Sequence, residues 1–195
     1  MKIKKSAVKR KSEVGIVSEF KPGKLWVICG YYVSDTTSLA TKILADAAVV
    51  GGKAAVYIPL RKPMVEDGVR LVEVYGRTRL ADGKKTRLSL VQGGRVIKAV
   101  DDFSEAPLYI GDIVPSGFTQ FFKAVRKFVI KYKPGLVVID NGDLLRAYPA
   151  GKGGATICGE LKKLAVETKS AVVLGISRYS PNTDGEGDCL IGLGR

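Results

Sequence analysis

Four short apolar runs constrain the fold of this chain more than any other feature of its sequence. They are Leu25–Cys29 (LWVIC), 54–58 (AAVYI), 136–139 (LVVI) and Ala171–Ile176 (AVVLGI). Continuous apolar runs of four to six residues are typical of strands buried on both faces, as in parallel sheets. Segments with helical periodicity lie between them, so the sequence predicts an α/β domain with a mostly parallel sheet flanked by helices.

Three helices are predicted from apolar residues spaced at three and four positions. The first runs from Ser38 to the glycine pair at 51 and 52, and the others cover about 119–132 and 155–168. The first helix and its two flanking strands form a βαβ unit, whose crossover is expected to be right-handed. The aromatic residues of the second helix are predicted to lie in the core, and residues 107–110 (PLYI) form a further strand candidate.

The pattern changes between residues 69 and 100. The stretches RLVEVYGR and TRLSLVQGGRVIKAV alternate apolar and polar residues, and the second contains Gly93-Gly94, a dipeptide typical of tight turns. The sequence therefore predicts an antiparallel β-hairpin insertion around 69–100.

Composition favours one globular domain and excludes some chemistry. The chain has 195 residues, of which 46% are hydrophobic, and its formal net charge is +13. It has no histidine, so a histidine base or metal ligand is excluded. Cys29, Cys158 and Cys189 fit no metal-binding spacing and are predicted to be reduced thiols. No apolar stretch reaches the roughly 20 residues of a membrane span, so we expect no membrane association and a cytoplasmic location.

The chain divides into three predicted parts: a basic flexible arm at 1–20, a core domain at 21–180 and a glycine-rich tail at 181–195. The arm is a candidate nucleic-acid contact because basic segments bind phosphates through charge alone. The alternative is a solvated tail. The candidate contact residues are Lys2, Lys4, Lys5, Lys9, Arg10 and Lys11.

Four segments resemble, in order, the RecA-like ATPase core of DnaB-type replicative helicases, a fold of the P-loop NTPase type. They are KPGKLWVICG, GYYVSDTTSLA, KPGLVVIDNGDLL and VVLGISRYS, and the resemblance covers residues 22–180. It implies strands leading to a phosphate loop, a metal-binding aspartate and a sensor residue. Beyond Ser180 the resemblance ends, so we expect a minimal nucleotide-domain core rather than an autonomous hexameric helicase.

The phosphate loop of this family has the form GxxxxGK[ST], in which glycines expose backbone N–H groups, lysine neutralises phosphate and the hydroxyl holds Mg²⁺. Here Gly30 and Thr37 match, but Asp35 replaces the second glycine and Thr36 replaces the lysine. Both substitutions oppose triphosphate binding. The resemblance nominates six nucleotide-binding positions: Gly30, Ser34, Asp35, Thr36, Thr37 and Ser38.

The residues expected to hold the metal match the family pattern better than the phosphate loop does. Asp140 follows the strand LVVI, where the family places the carboxylate that holds Mg²⁺, so Thr37 and Asp140 are the candidate metal residues. Without the resemblance, Asp140 would be equally well explained as a residue that begins a loop. Asp143 is predicted to be a turn or capping residue.

Two arginines stand where the resemblance places catalytic groups. Arg61 aligns with the glutamate that activates water, and an arginine cannot accept a proton. Arg178 aligns with the glutamine that senses the γ-phosphate. A contact with phosphate or DNA is one explanation for it, and a surface arginine is the simpler one.

The sequence favours a hydrolysis-deficient binding module in DNA replication or DNA metabolism. One alternative is an active ATP-dependent helicase with an aberrant loop, which would need a different base and a lysine from elsewhere, such as Lys24, Lys53 or one from a neighbouring subunit. Another is a recombinase- or clock-type ATPase relative. ATP and Mg²⁺ are expected only if the vestigial site still binds them. The expected partners are DNA, because the chain is basic, and replication proteins or further copies of the chain.

Overall fold

A six-stranded parallel sheet forms the centre of the molecule in the computed structural model, which describes residues 19–30, 32–60, 64–80, 88–113, 117–147, 156–177 and 189–192. The strand order is β3-β2-β4-β5-β1-β6, and all five neighbouring pairs are parallel. The strands are β1 (Leu25–Cys29), β2 (Ala55–Pro59), β3 (Leu108–Ile110), β4 (Leu136–Asp140), β5 (Ala171–Ile176) and β6 (Cys189–Gly192). The predicted α/β class with a parallel sheet is confirmed.

Among the described residues, five α-helices cover the sheet, because parallel neighbours need a crossover connection. They are α1 (Val33–Ala45), α2 (Met64–Tyr75), α3 (Leu90–Glu105), α4 (Phe118–Tyr132) and α5 (Ile157–Thr168). A π-helical turn, Asp46–Val50, extends α1, and a 3₁₀ turn, Gly142–Ala147, follows β4. The predicted helices at 119–132 and 155–168 agree with α4 and α5 to within two residues.

The two faces of the sheet bury separate apolar clusters. One face packs α4 and α5 through residues such as Phe121, Val125 and Leu161, and the other packs α1 through Ala40, Ile43 and Leu44. The predicted aromatic residues of α4, Phe121, Phe122 and Phe128, lie in or against the first cluster. Because both faces are covered, the central strands are fully buried, which explains their continuous apolar runs.

The predicted antiparallel hairpin around 69–100 is wrong for the described residues, because 64–75 and 90–105 are helices. The same stretch also fits a helical period. Val96, Ala99 and Phe103 recur at helical spacing and are among the less exposed residues of α3. Gly93 and Gly94 lie within α3, where nothing would lie within 4 Å of an added β-carbon. Each glycine makes the helix less stable by about 1 kcal/mol than an alanine at the same position would.

A capping box starts α3 and is the signal that sequence analysis missed. The Ser89 hydroxyl accepts a hydrogen bond from Gln92 N at 3.2 Å, and Gln92 Oε1 accepts one from Ser89 N at 2.9 Å. The helix then packs against α2, where the Tyr75 hydroxyl donates to Asp102 at 2.9 Å and its ring meets Phe103 edge-on. Tertiary packing and the cap together outweigh the two glycines.

Two other elements differ from the predicted boundaries. The first helix begins at Val33 rather than Ser38, because its first turn is mostly polar and carries no apolar stripe. Residues 189–192, in the stretch predicted to be a tail, pair with β1 as strand β6. In the part of the chain that the structure describes, no helix is long and apolar enough to cross a membrane.

Substituting Ser89 tests the helical assignment of α3. We expect Ser89→Ala to destabilise the protein by about 1 kcal/mol, because it removes the acceptor for Gln92 N. For a chain of this size that corresponds to a loss of roughly 2–4 °C in melting temperature, measured by circular dichroism. Ser104→Ala is the matched control, since Ser104 is exposed on the same helix and caps no backbone N–H. Equal melting temperatures for the two variants would contradict the capping role.

Candidate functional site

The carboxyl ends of the central strands bring the predicted nucleotide residues together. Gly30 follows β1, and its N–H donates to Ile176 O at 3.1 Å, which extends the pairing with β5. Asp140 is the last residue of β4 and lies opposite Pro59 of β2. In open α/β sheets, ligands bind at this edge. The sheet therefore places the residues nominated for the phosphate loop beside Asp140, the aspartate nominated for the metal.

Asp140 is fully buried and is the centre of a polar cluster. Its Oδ2 accepts hydrogen bonds from Thr37 Oγ1 at 2.6 Å, Asn141 Nδ2 at 3.2 Å and the Tyr57 hydroxyl at 3.3 Å. Asn141 adopts a left-handed conformation with φ of 61°, which ends the strand and which asparagine tolerates better than most residues. Both predicted metal residues, Thr37 and Asp140, are thus in direct contact.

The second oxygen of Asp140 is in a different environment. Oδ1 is buried and has no hydrogen-bond partner among the described residues. It lies close to the backbone of Gly175, where an added β-carbon would be 2.9 Å away. Only glycine fits beside Oδ1 without displacing the carboxylate.

Burial raises the pKa of Asp140 above its ordinary value. The hydrogen bonds from Thr37, the Asn141 backbone and Tyr57 oppose that shift, as does the charge of Arg70 on α2. The pKa of Tyr57 is also raised, first by burial and then by the charges of Asp140 and Asp67. Tyr57 therefore remains a protonated donor to Asp140 at neutral pH.

The residues at the phosphate-loop positions leave little room for a phosphate cradle. Only residues 31 and 32 separate Gly30 from the start of α1, and the Asp35 N–H already donates to Tyr32 O at 3.1 Å. Thr36, at the lysine position, is buried, and its Cγ2 would lie 2.9 Å from a β-carbon on Gly30. The Thr36 side chain therefore packs directly over the glycine that begins the loop.

The remaining predicted nucleotide residues are more exposed. Asp35 and Ser38 face solvent on the first turns of α1, whereas the side chain of Ser34 lies outside the described residues. Arg61, Arg178 and the arm residues Lys2, Lys4, Lys5, Lys9, Arg10 and Lys11 also lie outside the described residues.

Asp143 accepts hydrogen bonds from the residue that follows β5. Its Oδ2 accepts from Ser177 N at 2.6 Å and from Ser177 Oγ at 2.7 Å, which joins the turn after β4 to the residue that follows β5. This agrees with the predicted turn or capping role.

Sequence analysis missed Tyr57 and Asp67. Tyr57 lies within an otherwise apolar strand, and Asp67 is a buried carboxylate on α2 whose charge acts on the Tyr57 hydroxyl. A polar atom inside an apolar run was the available signal, since buried hydroxyls and carboxylates need partners.

The arrangement fits a magnesium ion in part. Thr37 and Asp140 supply oxygen atoms, which Mg²⁺ prefers, and Oδ1 of Asp140 makes no hydrogen bond in the described part of the chain. In the described residues there is no group of three or more acidic or cysteine side chains that could hold a metal without help. Mg²⁺ would therefore need water and substrate phosphates, and the phosphate positions are the part of the site that fits poorly.

A parallel sheet with a hydroxyl on the helix after β1, bonded to an aspartate at the end of β4, defines a RecA-like ATPase core. The family model for the DnaB-like helicase C terminal domain matches residues 15–185, so the chain belongs to that family. A search of curated proteins finds no match.

Solved structures show the same fold. One of them, described as an ATPase domain, has 18% sequence identity and a TM-score of 0.70, and the match covers 90% of this chain and 70% of that one. A DnaB-like replicative helicase, described with its interactions with primase, has 16% identity and a TM-score of 0.60. That match covers 85% of this chain and 42% of the helicase, so this chain spans less than half of the helicase's length.

The buried carboxylate gives a pH-dependent stability. Because the folded pKa of Asp140 is raised, its stabilising contribution is present below the unfolded value of 3.8 and is lost as pH rises through the folded value. We expect Asp140→Asn, which keeps an acceptor for Thr37, to raise the melting temperature by roughly 2–4 °C at pH 7, equivalent to about 1 kcal/mol. The difference should shrink toward pH 4. A less stable variant at pH 7 would show that the ionised carboxylate stabilises the fold.

Tyr57→Phe should have the opposite effect on stability. It removes one donor but keeps the carboxylate, so we expect a loss of about 1 kcal/mol at pH 7. That loss should be smaller in an Asp140→Asn background, where the acceptor carries no charge. Thermal unfolding of the two single variants and the double variant measures this coupling, and strictly additive effects would rule it out.

Proposed function

We propose that this chain is a nucleotide-hydrolysis-deficient member of the DnaB-like helicase family that serves as a binding module in DNA replication or DNA metabolism. The observation that carries the proposal is the packing at the phosphate-loop positions. A buried threonine occupies the lysine position and packs against Gly30, and an aspartate stands two residues after the start of α1.

Electrostatics at the loop oppose an anionic ligand. The first turn of a helix favours negative charge, and in α1 Asp35 already supplies one there. A unit charge pair at about 4 Å is worth roughly 4 kcal/mol at an effective dielectric of 20. Loss of the lysine and gain of the aspartate therefore both reduce the affinity for triphosphate, by several factors of ten together.

The hydrolytic groups implied by the resemblance are replaced as well. Arg61 stands at the position of the water-activating glutamate and Arg178 at that of the sensor glutamine. An arginine side chain has donors only and stays protonated, so neither residue can act as a general base. Even a chain that bound ATP weakly would lack the group that activates water.

Charge supports a polyanionic partner. The net charge of +13, which no histidine modulates near neutral pH, favours association with DNA. Six of the 32 basic residues behind this charge lie within the first eleven positions. The structure of a DnaB-like replicative helicase described with primase makes replication proteins reasonable further partners, and oligomers of the chain are a third possibility.

Nucleotide binding tests the proposal directly. A fluorescent ATP analogue with Mg²⁺ is titrated into the native chain and into Asp35→Gly/Thr36→Lys, which restores the loop pattern. We expect no saturable binding by the native chain below millimolar concentrations and a dissociation constant in the micromolar range for the restored variant, because the charge terms reverse.

A matched control separates local from global charge. Asp101→Asn/Ser104→Lys also adds two positive charges, but at exposed positions of α3 near the opposite edge of the sheet. This variant should bind no better than the native chain. Micromolar, Mg²⁺-dependent binding by the native chain would show that the proposal is wrong and that turnover must be assayed.

A further inference from the structure

Five exposed lysines lie at the amino edge of the sheet, the edge opposite the candidate nucleotide site. Each is within four residues of the start of one of four adjacent strands in the order β2-β4-β5-β1. In that order they are Lys53, Lys133, Lys169, and the pair Lys24 and Lys21, and all five are exposed.

Backbone hydrogen bonds fix the positions of these residues. Lys24 O accepts from Val172 N at 2.9 Å, and Gly135 N, two residues after Lys133, donates to Ala54 O at 2.8 Å. Lys53 N donates to Ala47 O at 2.9 Å. Because neighbouring strands lie about 4.8 Å apart, four strands place the lysines along a row of roughly 14 Å.

Two of these lysines occupy unfavourable backbone positions. Lys133 and Lys169 follow the ends of α4 and α5 with φ of 44° and 54°, in the left-handed region where glycine is usual. A cation at a helix C-terminus gains some energy from the helix dipole, which applies to these two lysines and to Lys53, whose N–H donates to Ala47 O in the π-helical turn that extends α1. Lys21 and Lys24 follow no α-helix among the described residues, so the dipole does not explain the row as a whole.

The two edges of the sheet differ in charge. In the described part of the chain, Glu19, Asp46 and Glu105 flank the row, and Glu167 is paired with Arg126 at 3.2 Å. The carboxyl edge carries Asp35, Asp112, Asp140 and Asp143. Within the described residues, cations therefore outnumber carboxylates along the amino edge, whereas carboxylates cluster at the carboxyl edge.

We propose that the amino-edge row, Lys21, Lys24, Lys53, Lys133 and Lys169, binds the phosphate backbone of a nucleic acid. The inference rests on the proposed binding-module function and locates its contact surface. A linear row of cations matches a linear polyanion, and lysine contacts phosphates without reading base sequence. An acidic membrane fits less well, because the exposed large apolar side chains near the row in the described residues, such as Val50, include no aromatic anchor.

Salt-dependent binding tests the row. A fluorescein-labelled oligothymidylate and a labelled duplex are titrated with the full chain at several salt concentrations. The edge variant is Lys53→Gln/Lys133→Gln/Lys169→Gln, in which glutamine keeps the chain length and removes the charge. The matched control is Lys123→Gln/Lys127→Gln/Lys163→Gln, which removes the same charge from exposed positions of α4 and α5.

Each lysine that neutralises a phosphate contributes about 0.7 to the slope of log K against log salt for single strands and about 0.9 for duplex. We expect the slope for the edge variant to be shallower by about 2 for the oligothymidylate, or about 3 for duplex, and its affinity at low salt to fall at least tenfold. The control should change the slope by less than 1. The nucleic acid, oligothymidylate or duplex, whose binding is weakened more by the edge variant is the form that the row binds.

Three results would overturn the inference. Equal losses for the edge and control variants would show diffuse charge rather than a row, while leaving the binding-module proposal intact. Native-like slopes for the edge variant, with loss of its binding to phosphatidylserine vesicles, would assign the row to a membrane surface. Absence of nucleic-acid binding by the native chain at about 50 mM salt would contradict the binding-module proposal itself. Matching melting curves for the two variants are required before the slopes are compared.

Discussion

The Thr37 hydroxyl donates a 2.6 Å hydrogen bond to Asp140, a residue 103 positions further along the chain, inside a fully buried environment. This contact fixes the start of α1 against the end of β4. A hydroxyl or a carboxylate is costly to bury without a hydrogen-bond partner, so Thr37 and Asp140 depend on each other. Tyr57 and Asn141 donate two further hydrogen bonds to the same oxygen of Asp140. The geometry at the carboxyl edge, including the short approach from Gly30 into α1, is arranged around that contact.

The contact between Thr37 and Asp140 involves two residues that match the family pattern, whereas Asp35 and Thr36 depart from it. Thr37 and Asp140 are the pair that the resemblance nominates for Mg²⁺, and the structure brings them into contact. The hydrogen bond between them gives each buried polar group a partner whether or not a nucleotide binds. The positions that only a phosphate would need, those of Asp35 and Thr36, have changed.

Sequence analysis predicted the parts of the fold that depend on burial. The runs LWVIC, AAVYI, LVVI and AVVLGI are apolar because both faces of the sheet are covered, so their strand character was visible without context. The prediction was wrong for α2 and α3, whose sequences fit both a strand period and a helical period. The helices are stabilised by the Ser89 cap and by the packing of Tyr75 against Phe103. For the site, the contact between Thr37 and Asp140 agrees with their assignment to one place, while their metal role stays a prediction. The partnership of Tyr57 with Asp140 could not be predicted, because it depends on side-chain positions across two strands.

The strand order also has a consequence for the order of folding during synthesis. Strand β1 lies between β5 and β6, and Leu25 is paired with Val172, 147 residues later (172 − 25). At the usual synthesis rate of about 5–20 residues per second, the partner of β1 emerges roughly 7–30 s after it. Strands β2, β3 and β4 pair with one another over shorter separations and can assemble first. Until β5 arrives, the apolar run LWVIC has no strand to pair with, so the nascent chain is most vulnerable to association with other chains in that interval.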